Sequence, residues 1–323
     1  MLLAIVVGTC LVLGAGWAYL RPQSQPAPPE RKRPTPPSSA VTTPLEVALP
    51  PASPDVSQGN LGQFALLSIL GKGGMATVYK ARHLKDGTTL ALKVISPEHR
   101  DNREFHKRFQ REVELSQQLR HANLVAAYES GEIDGQMCMV MEWVDGKPLE
   151  LLLTRGPVPL DLFLKLAQQL LAGLHFAHTQ HMFHRDIKPA NIMITRDARV
   201  KILDFGLAIG EGQTRFTSVG FSMGTPTHMA PEMLTKGISN AHTDQYALGV
   251  VFYQMLTGQD PFTASNPMDL GMMHVQQPVP PVHARRPDAP RAWQEITLKM
   301  MAKKPEQRYG NLAEIQAEFG RPI

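Results

Sequence analysis

The chain has 323 residues, 43% hydrophobic and 19% charged, with 25 Gly, 27 Pro and 2 Cys. This excludes a wholly disordered chain and a collagen, and leaves length enough for a sizeable core. Cys10 and Cys138 alone cannot build a disulfide framework or a four-thiolate zinc site. The net charge is only +4 with no basic stripe in the sequence, so no nucleic-acid partner is expected.

Residues 2–20 (LLAIVVGTCLVLGAGWAYL) are an unbroken apolar run. About 20 helical residues span the roughly 30 Å hydrocarbon core of a bilayer. Trp17 and Tyr19 sit at its C-terminal end, where aromatic rings favour the interface. No positive n-region and no clean small-x-small site mark it as a cleaved signal, so residues 1–20 are expected to be a single uncleaved transmembrane helix. Arg21 and Arg31-Lys32-Arg33 follow on the C-terminal side. By the positive-inside rule the rest of the chain is expected in the cytoplasm, on a plasma (inner) membrane, with almost nothing left outside to sense a signal.

Residues 21–57 hold eleven of the 27 prolines among Ser, Thr, Ala and Gln, a composition that cannot bury enough apolar area to offset ordering entropy. They read as a disordered tether whose basic residues lie near anionic lipid. Arg31, Pro34 and Pro37 also match an R-x-x-P-x-x-P pattern, a coincidence that such a composition makes common.

From residue 58 to 323 the texture is globular. Strand-like runs cover Phe64–Leu70, Ala76–Leu84, Thr89–Ile95, Val125–Glu129 and Met137–Met141, with one helix near Asn102–Arg120. Helical spacing then covers Asp161–Gln180, Thr243–Thr257, Arg291–Met301 and Asn311–Phe319, with short strands at Ile192–Ile194 and Val200–Leu203. A small β-rich lobe (about 62–142) and a larger helical lobe (about 145–319) imply a ligand-sized cleft between them.

The chemistry-bearing residues lie on these elements in order. Gly71-Lys72-Gly73-Gly74-Met75-Ala76-Thr77-Val78 joins two strands; glycines there let backbone N–H groups approach phosphates. No helix follows, which excludes the dinucleotide and Walker readings. Lys93 stands among apolar neighbours in a strand and needs a charged partner, for which Glu112 in the following helix is a candidate. His184-Arg185-Asp186-Ile187-Lys188-Pro189-Ala190-Asn191 brings an acid, a lysine and an asparagine within reach of one metal-phosphate centre. Asp204-Phe205-Gly206 comes thirteen residues after Asn191, and Ala230-Pro231-Glu232 farther on.

These motifs, in this order and on these elements, resemble a eukaryotic-type (Hanks) serine/threonine protein kinase over about residues 62–319, in wording closest to bacterial members. The resemblance implies an α+β, bilobal fold using ATP and Mg²⁺. It implies that Gly71, Lys72, Gly73 and Gly74 cover the phosphates, and that Lys93 holds them and pairs with Glu112. Asp186 would orient the attacking hydroxyl, Lys188 neutralise the γ-phosphate, and Asn191 and Asp204 hold Mg²⁺. Leu70, Val78, Ala91 and Met193 would sandwich the adenine. In the hinge Met141–Val144, Met141 would be the gatekeeper, and the Glu142 and Val144 backbones would bond the base. Glu232 would pair with Arg308, and Asp244 would anchor the catalytic loop.

Lys188 and Gly224-Thr225-Pro226 resemble the serine/threonine group, whose substrates are protein hydroxyls; Thr225 would bond Asp186 and Lys188. Arg185 implies control by phosphorylation between Asp204 and Glu232, at Thr217 or Ser218 before Thr214 or Ser222. The sequence departs from the family at Ala76, in place of the third glycine, and at Ile209, where many relatives carry a second basic residue. With an anchor and no ectodomain, activation is expected through lateral association, by homodimerisation or a membrane partner. A membrane-tethered pseudokinase scaffold and a small-molecule kinase are the competing readings; the intact catalytic residues oppose the first and the Gly224–Thr225 and Ala230–Glu232 segments the second.

His175, His178, His181 and His184 recur every three residues, a spacing that resembles metal ligands. At about 100° per residue such positions drift around a helix, so ordinary core and helix-end histidines are expected instead. Cys138 reads as a small buried apolar residue.

Overall fold

The strand Thr89–Ile95 shows how this chain builds its smaller lobe. Alternate side chains leave opposite faces of a sheet. Leu92 and Val94 pack with Phe64, Ala81, Cys138 and Val140 on one side. Ala91 and Ile95 pack on the other with Phe109 and Val113 of the helix Arg103–Gln118. Lys93, between Ala91 and Ile95 in this alternation, is therefore turned to the helix side of the sheet.

In this computed structural model the described residues are 59–99, 102–205 and 226–320. The first sheet has six antiparallel strands in the order β1-β2-β3-β4-β6-β5. They are β1 (Asn60–Leu61), β2 (Phe64–Lys72), β3 (Ala76–His83), β4 (Thr89–Ile95), β5 (Ala127–Ile133) and β6 (Gln136–Glu142), with α1 (Arg103–Gln118) packed against them. The sheet curls until its ends meet: Gly62 N donates to Asp134 Oδ2 at 2.7 Å. Gly62 has φ +51°, and a Cβ there would lie 2.5 Å from Ile133 Cγ2, so both backbone and packing require glycine.

The larger lobe comprises a small sheet of β7 (Gly146–Pro148), β8 (Ile192–Thr195) and β9 (Val200–Ile202), with helices α2 (Leu149–Leu153), α3 (Leu160–Thr179), α4 (Pro231–Lys236), α5 (Ala241–Thr257), α6 (Pro267–Gln276), α7 (Arg291–Met300) and α8 (Leu312–Phe319). Thr243 to Thr257 of α5 are buried without a break, the mark of a helix at the centre of a lobe rather than on its surface. Phe163 of α3 meets Phe252 of α5, Trp293 of α7 and Phe319 of α8 at ring distances of 5.5, 5.1 and 5.9 Å.

Backbone hydrogen bonds stitch the lobes together beside the hinge. Ile202 N donates to Asn123 O (2.8 Å) and Val125 N to Ile202 O (2.9 Å), joining the α1–β5 connection to β9. Gly173 of α3 lies beneath: a Cβ there would sit 3.1–3.3 Å from Asn123, Leu124 and Ile202 side chains.

The expected elements are present, with differences that have physical causes. The strand expected at Val125–Glu129 runs instead from Ala127 to Ile133, because Val125 pairs with β9 and the polar, partly exposed β5 lacks alternation. β1, β7, α2, α4 and α6 go beyond the elements that the sequence pattern predicts; the first four are six residues or shorter, below the length at which periodicity is readable. Among the described residues no helix is long and apolar enough to cross a membrane. The expected anchor (1–20) and tether (21–57) lie outside the described residues.

His274 of α6 is fully buried, with Tyr246 Oη at 3.0 Å from Nδ1 and Nε2 unpartnered. Burial, then the Lys303 ammonium, pushes its imidazole down to about 3. Its folded value lies below the unfolded one, so its neutral burial is stabilising above about pH 6.5 and that contribution is lost as pH falls toward 3. Denaturant titrations at successive pH values from 7 to 5 should show stability falling, about 1.4 kcal/mol per pH unit from this histidine. His274→Asn should flatten the slope by about that amount, and equal slopes would refute the assignment.

Candidate active site

The residues nominated from sequence converge where β4, the α3–β8 loop and the end of β9 face one another. Lys93 Nζ lies 2.7 Å from Asp204 Oδ1, joining the two lobes. Lys188 Nζ lies 2.7 Å from Asp186 Oδ2. Asn191 Nδ2 donates to Asp186 O (2.8 Å) and Oδ2 (3.1 Å). Both amide hydrogens of Asn191 are thus committed to Asp186, which leaves its Oδ1 as an acceptor. Together with the Asp204 carboxylate this is a hard oxygen donor set, the kind Mg²⁺ takes.

The backbone holding these groups is strained locally. Arg185 and Asp204, neither a glycine, have φ of +68° and +53°. Asp244, buried in α5, compensates on one side: its Oδ1 accepts from Arg185 N (2.8 Å), and its Oδ2 from His184 N (2.7 Å) and His178 Nε2 (2.8 Å). Burial pushes the Asp244 carboxyl up, but the bond and charge of His178 and the His184 N–H outweigh it and hold it below the usual carboxylate range. Nε2 of His184 lies 2.6 Å from Leu203 O, and its ring meets Phe205 edge-on at 4.8 Å, tying the loop to the residues flanking Asp204. Leu203 N donates to Asn191 O at 2.9 Å. Lower in the lobe Arg308 grips Glu232 with two bonds of 2.7 and 2.8 Å, both side chains buried.

On the other wall, Leu70, Gly71 and Lys72 end β2, and Val78 lies on β3 opposite Lys93. Gly73 N closes the turn on Ala76 O at 2.9 Å. None of these three glycines has a positive φ, and a Cβ on Gly71 or Gly74 would meet nothing within 4 Å. The protein's own packing does not demand glycine there; the open space is on offer to a ligand. Ala91 pairs with Met141 across β4 and β6, Met193 lies on β8, and Val144 O accepts from Gly146 N (3.0 Å). Glu112 is in α1, but its side chain lies outside the described residues, and the carboxylate seen at Lys93 is that of Asp204. Thr214, Thr217, Ser218, Ser222, Gly224 and Thr225 also lie outside.

Two residues escaped sequence reasoning. Lys201 of β9 binds Glu142 of the hinge at 2.7 Å, while Glu142 Oε2 accepts from Ala126 N (3.2 Å), so hinge and Asp204 strand are clasped directly. His228 lines an 80 Å³ pocket with Asp186 and Lys188. Its Nε2 lies 2.9 Å from Gln254 Oε1, and Gln254 Nε2 donates to Asp260 Oδ1 at 2.6 Å. Burial pulls its imidazole below the usual range despite the Gln254 bond. Neither residue stands in a motif, so only the three-dimensional pairing reveals them.

Two lysines, two carboxylates and a carboxamide near an open glycine turn suit a polyphosphate with its metal, and known proteins settle the family. Residues 64–319 match the protein kinase domain model. The chain belongs to the protein kinase family. It is 35% identical over 255 residues to the serine/threonine-protein kinase PknH of Mycobacterium bovis, covering 79% of this chain and 43% of that protein. It is 33% identical over 259 residues to the serine/threonine-protein kinase PrkC of Bacillus subtilis (80% and 40%), and 36% over 267 to the serine/threonine-protein kinase PknB of Mycobacterium tuberculosis (80% and 42%). The chain thus spans about two fifths of the length of these relatives. The crystal structure of the Mycobacterium tuberculosis PknI kinase domain matches 83% of this chain and 98% of its own, with TM-score 0.63 and 27% identity. The kinase domain here is of the bacterial serine/threonine type, and its family uses ATP and Mg²⁺.

Asp244→Asn keeps the shape but presents an amide hydrogen to at least one of three donors. It should cost about 3 kcal/mol in unfolding experiments and lower kcat at least about tenfold; wild-type stability with wild-type kcat would refute the anchoring role.

Proposed function

We propose that this chain transfers the γ-phosphoryl group of Mg²⁺-bound ATP to serine and threonine hydroxyls of proteins, at a membrane to which residues 1–20 tether it through the proline-rich segment 21–57. The observation that supports the reading is a pair of clusters, Lys93 with Asp204 and Asp186 with Lys188 and Asn191, linked where Leu203 N donates to Asn191 O. When bound, Mg²⁺ neutralises charge on the transferring phosphoryl group. Asp204 and the Oδ1 of Asn191 would supply its protein ligands. Lys93 would hold the α- and β-phosphates, and the backbone around Gly71–Gly74 would cover them. The Glu142 and Val144 backbones would bond the adenine, Leu70, Val78, Ala91 and Met193 would sandwich it, and Met141 would be the gatekeeper.

Asp186 orients the attacking hydroxyl and accepts its proton. Lys188, already paired with Asp186, offers its charge to the γ-phosphate as negative charge spreads there. Positioning and charge complementarity do the chemistry, and no covalent enzyme intermediate is needed. Phosphorylation of Thr217 or Ser218 by a second copy pairs the new charge with Arg185 and raises activity, so association in the membrane activates. The completeness of the polar set favours a kinase over a tethered pseudokinase.

The test is to incubate the full chain, in detergent micelles, with labelled ATP and Mg²⁺ beside an Asp186→Asn control. Incorporation into Ser and Thr, reduced at least about 10²-fold in the control, is expected. Equal incorporation in both, or none in the wild type on itself and on a basic-protein substrate, contradicts the reading. The double substitution Thr217→Ala, Ser218→Ala should lower turnover several-fold; unchanged turnover removes those residues from regulation without touching the catalytic assignment.

A further inference from the structure

The turn Pro226–Met229, closed where Met229 N donates to Pro226 O at 3.2 Å, carries a histidine to which the reaction described above gives no part. His228 lines the pocket of about 80 Å³ that also takes in Asp186 and Lys188, and the charges of both act on its ring. Lys93, Asn191 and Asp204 do not line this pocket, so it reaches Asp186 without touching the residues assigned to the nucleotide and its metal.

A chain of bonds fixes the proton on the ring. A carboxylate only accepts, so Gln254 turns its amide NH₂ to Asp260 Oδ1 (2.6 Å) and its carbonyl oxygen to His228 Nε2 (2.9 Å). Nε2 must then donate, and Nδ1 of the neutral ring is an acceptor. Burial, which outweighs the Gln254 bond and the Asp260 and Asp186 charges, pulls the imidazole below its usual range and keeps it neutral near pH 7. The Asp260 side chain bonds no cation among the described residues, so its charge polarises each link of the relay and strengthens Nδ1 as an acceptor.

That nitrogen is open. It bonds no described residue, and it is not sealed in the interior as the unpaired nitrogens of His106, His242 and His274 are. The acids of the same pocket are already engaged: Asp186 Oδ2 holds Lys188 and Asn191, and Asp244 holds three N–H donors. Asp186 Oδ1 and His228 Nδ1 remain as acceptors for an incoming molecule. Arg185 and Lys188 stand in the same wall, which disfavours a cationic donor and leaves a neutral one.

We propose that His228 contacts the protein substrate and helps to select it: Nδ1 accepts a hydrogen bond from a backbone amide N–H beside the serine or threonine whose hydroxyl meets Asp186. Two points of contact, hydroxyl on Asp186 and amide on His228, fix the direction in which the substrate chain crosses the site. A proline at the contacting position has no N–H and is rejected. The inference rests on the protein-kinase reading, since a protein substrate is what brings amide groups to Asp186.

Phosphate transfer from saturating Mg²⁺–ATP to a basic-protein substrate is followed with the full chain in detergent micelles. His228→Gln keeps a donor for Gln254 and loses the Nδ1 acceptor. KM for the protein should rise at least about tenfold while KM for ATP stays within about twofold. His228→Phe, which keeps a ring and neither nitrogen, should show the same split and serves if His228→Gln misfolds. A serine peptide that the wild type phosphorylates is then methylated at one backbone nitrogen at a time. At one position methylation should cost the wild type about tenfold in kcat/KM and the variant nothing. An unchanged KM for the protein, an equal rise in both KM values, or no methylation that separates the two enzymes overturns the inference alone. A wild type that transfers no phosphate overturns it together with the kinase reading.

Discussion

A single 2.7 Å contact, Lys93 to Asp204, spans the two lobes, and the rest of the structure is arranged to permit it. The lysine side chain is only 13% exposed, so it needs a counter-charge, and the smaller lobe's own strand cannot give it one. The carboxylate comes from a residue at φ +53°, a conformation held only because the strand before it is pinned on both sides. Ile202 is bonded into the α1–β5 connection, and Leu203 bridges Asn191 and His184. Each charge serves as the other's partner, and in the proposed reaction a metal-bound polyphosphate would meet both, its anion facing the lysine and its cation the carboxylate.

The same logic organises the floor of the cleft. Asp244 is a buried acid with three donors, and Arg308 a buried base with a bidentate acid and three carbonyls. Each converts a costly buried charge into a fixed point, one for the catalytic loop and one for the segment around Glu232. The Lys201–Glu142 pair adds a third, between hinge and β9. The smaller lobe and the catalytic loop are both bonded to β9 or the residues that follow it, which suits a reaction driven by placement of charge.

Much of this was legible in the amino-acid order. The alternation in β4, the helical spacing of α3 and the long apolar α5 announced their elements, and motif order brought Lys93, Asp186, Asn191 and Asp204 together before any geometry was known. The pairings Glu232–Arg308 and Asp244 with the catalytic loop followed from the family resemblance and stand in the structure. What stayed hidden depends on contacts distant in sequence. Val125 leaves β5 to pair with β9, Lys201 reaches Glu142, and His228 reaches Gln254, none with a local pattern to betray it. The four histidines at three-residue spacing show the limit from the other side: His178 and His184 became supports of the catalytic loop, while His175 joined a cavity with His242, 67 positions away.

The account turns on Asp204 and Lys93 being partners in waiting for a metal-bound triphosphate. Its most direct test is the affinity for adenylyl imidodiphosphate, with and without Mg²⁺, in the wild type and in Asp204→Asn. Mg²⁺ should tighten binding at least about tenfold in the wild type and have little effect in the variant. A variant whose affinity responds to Mg²⁺ as strongly as the wild type's would contradict the account.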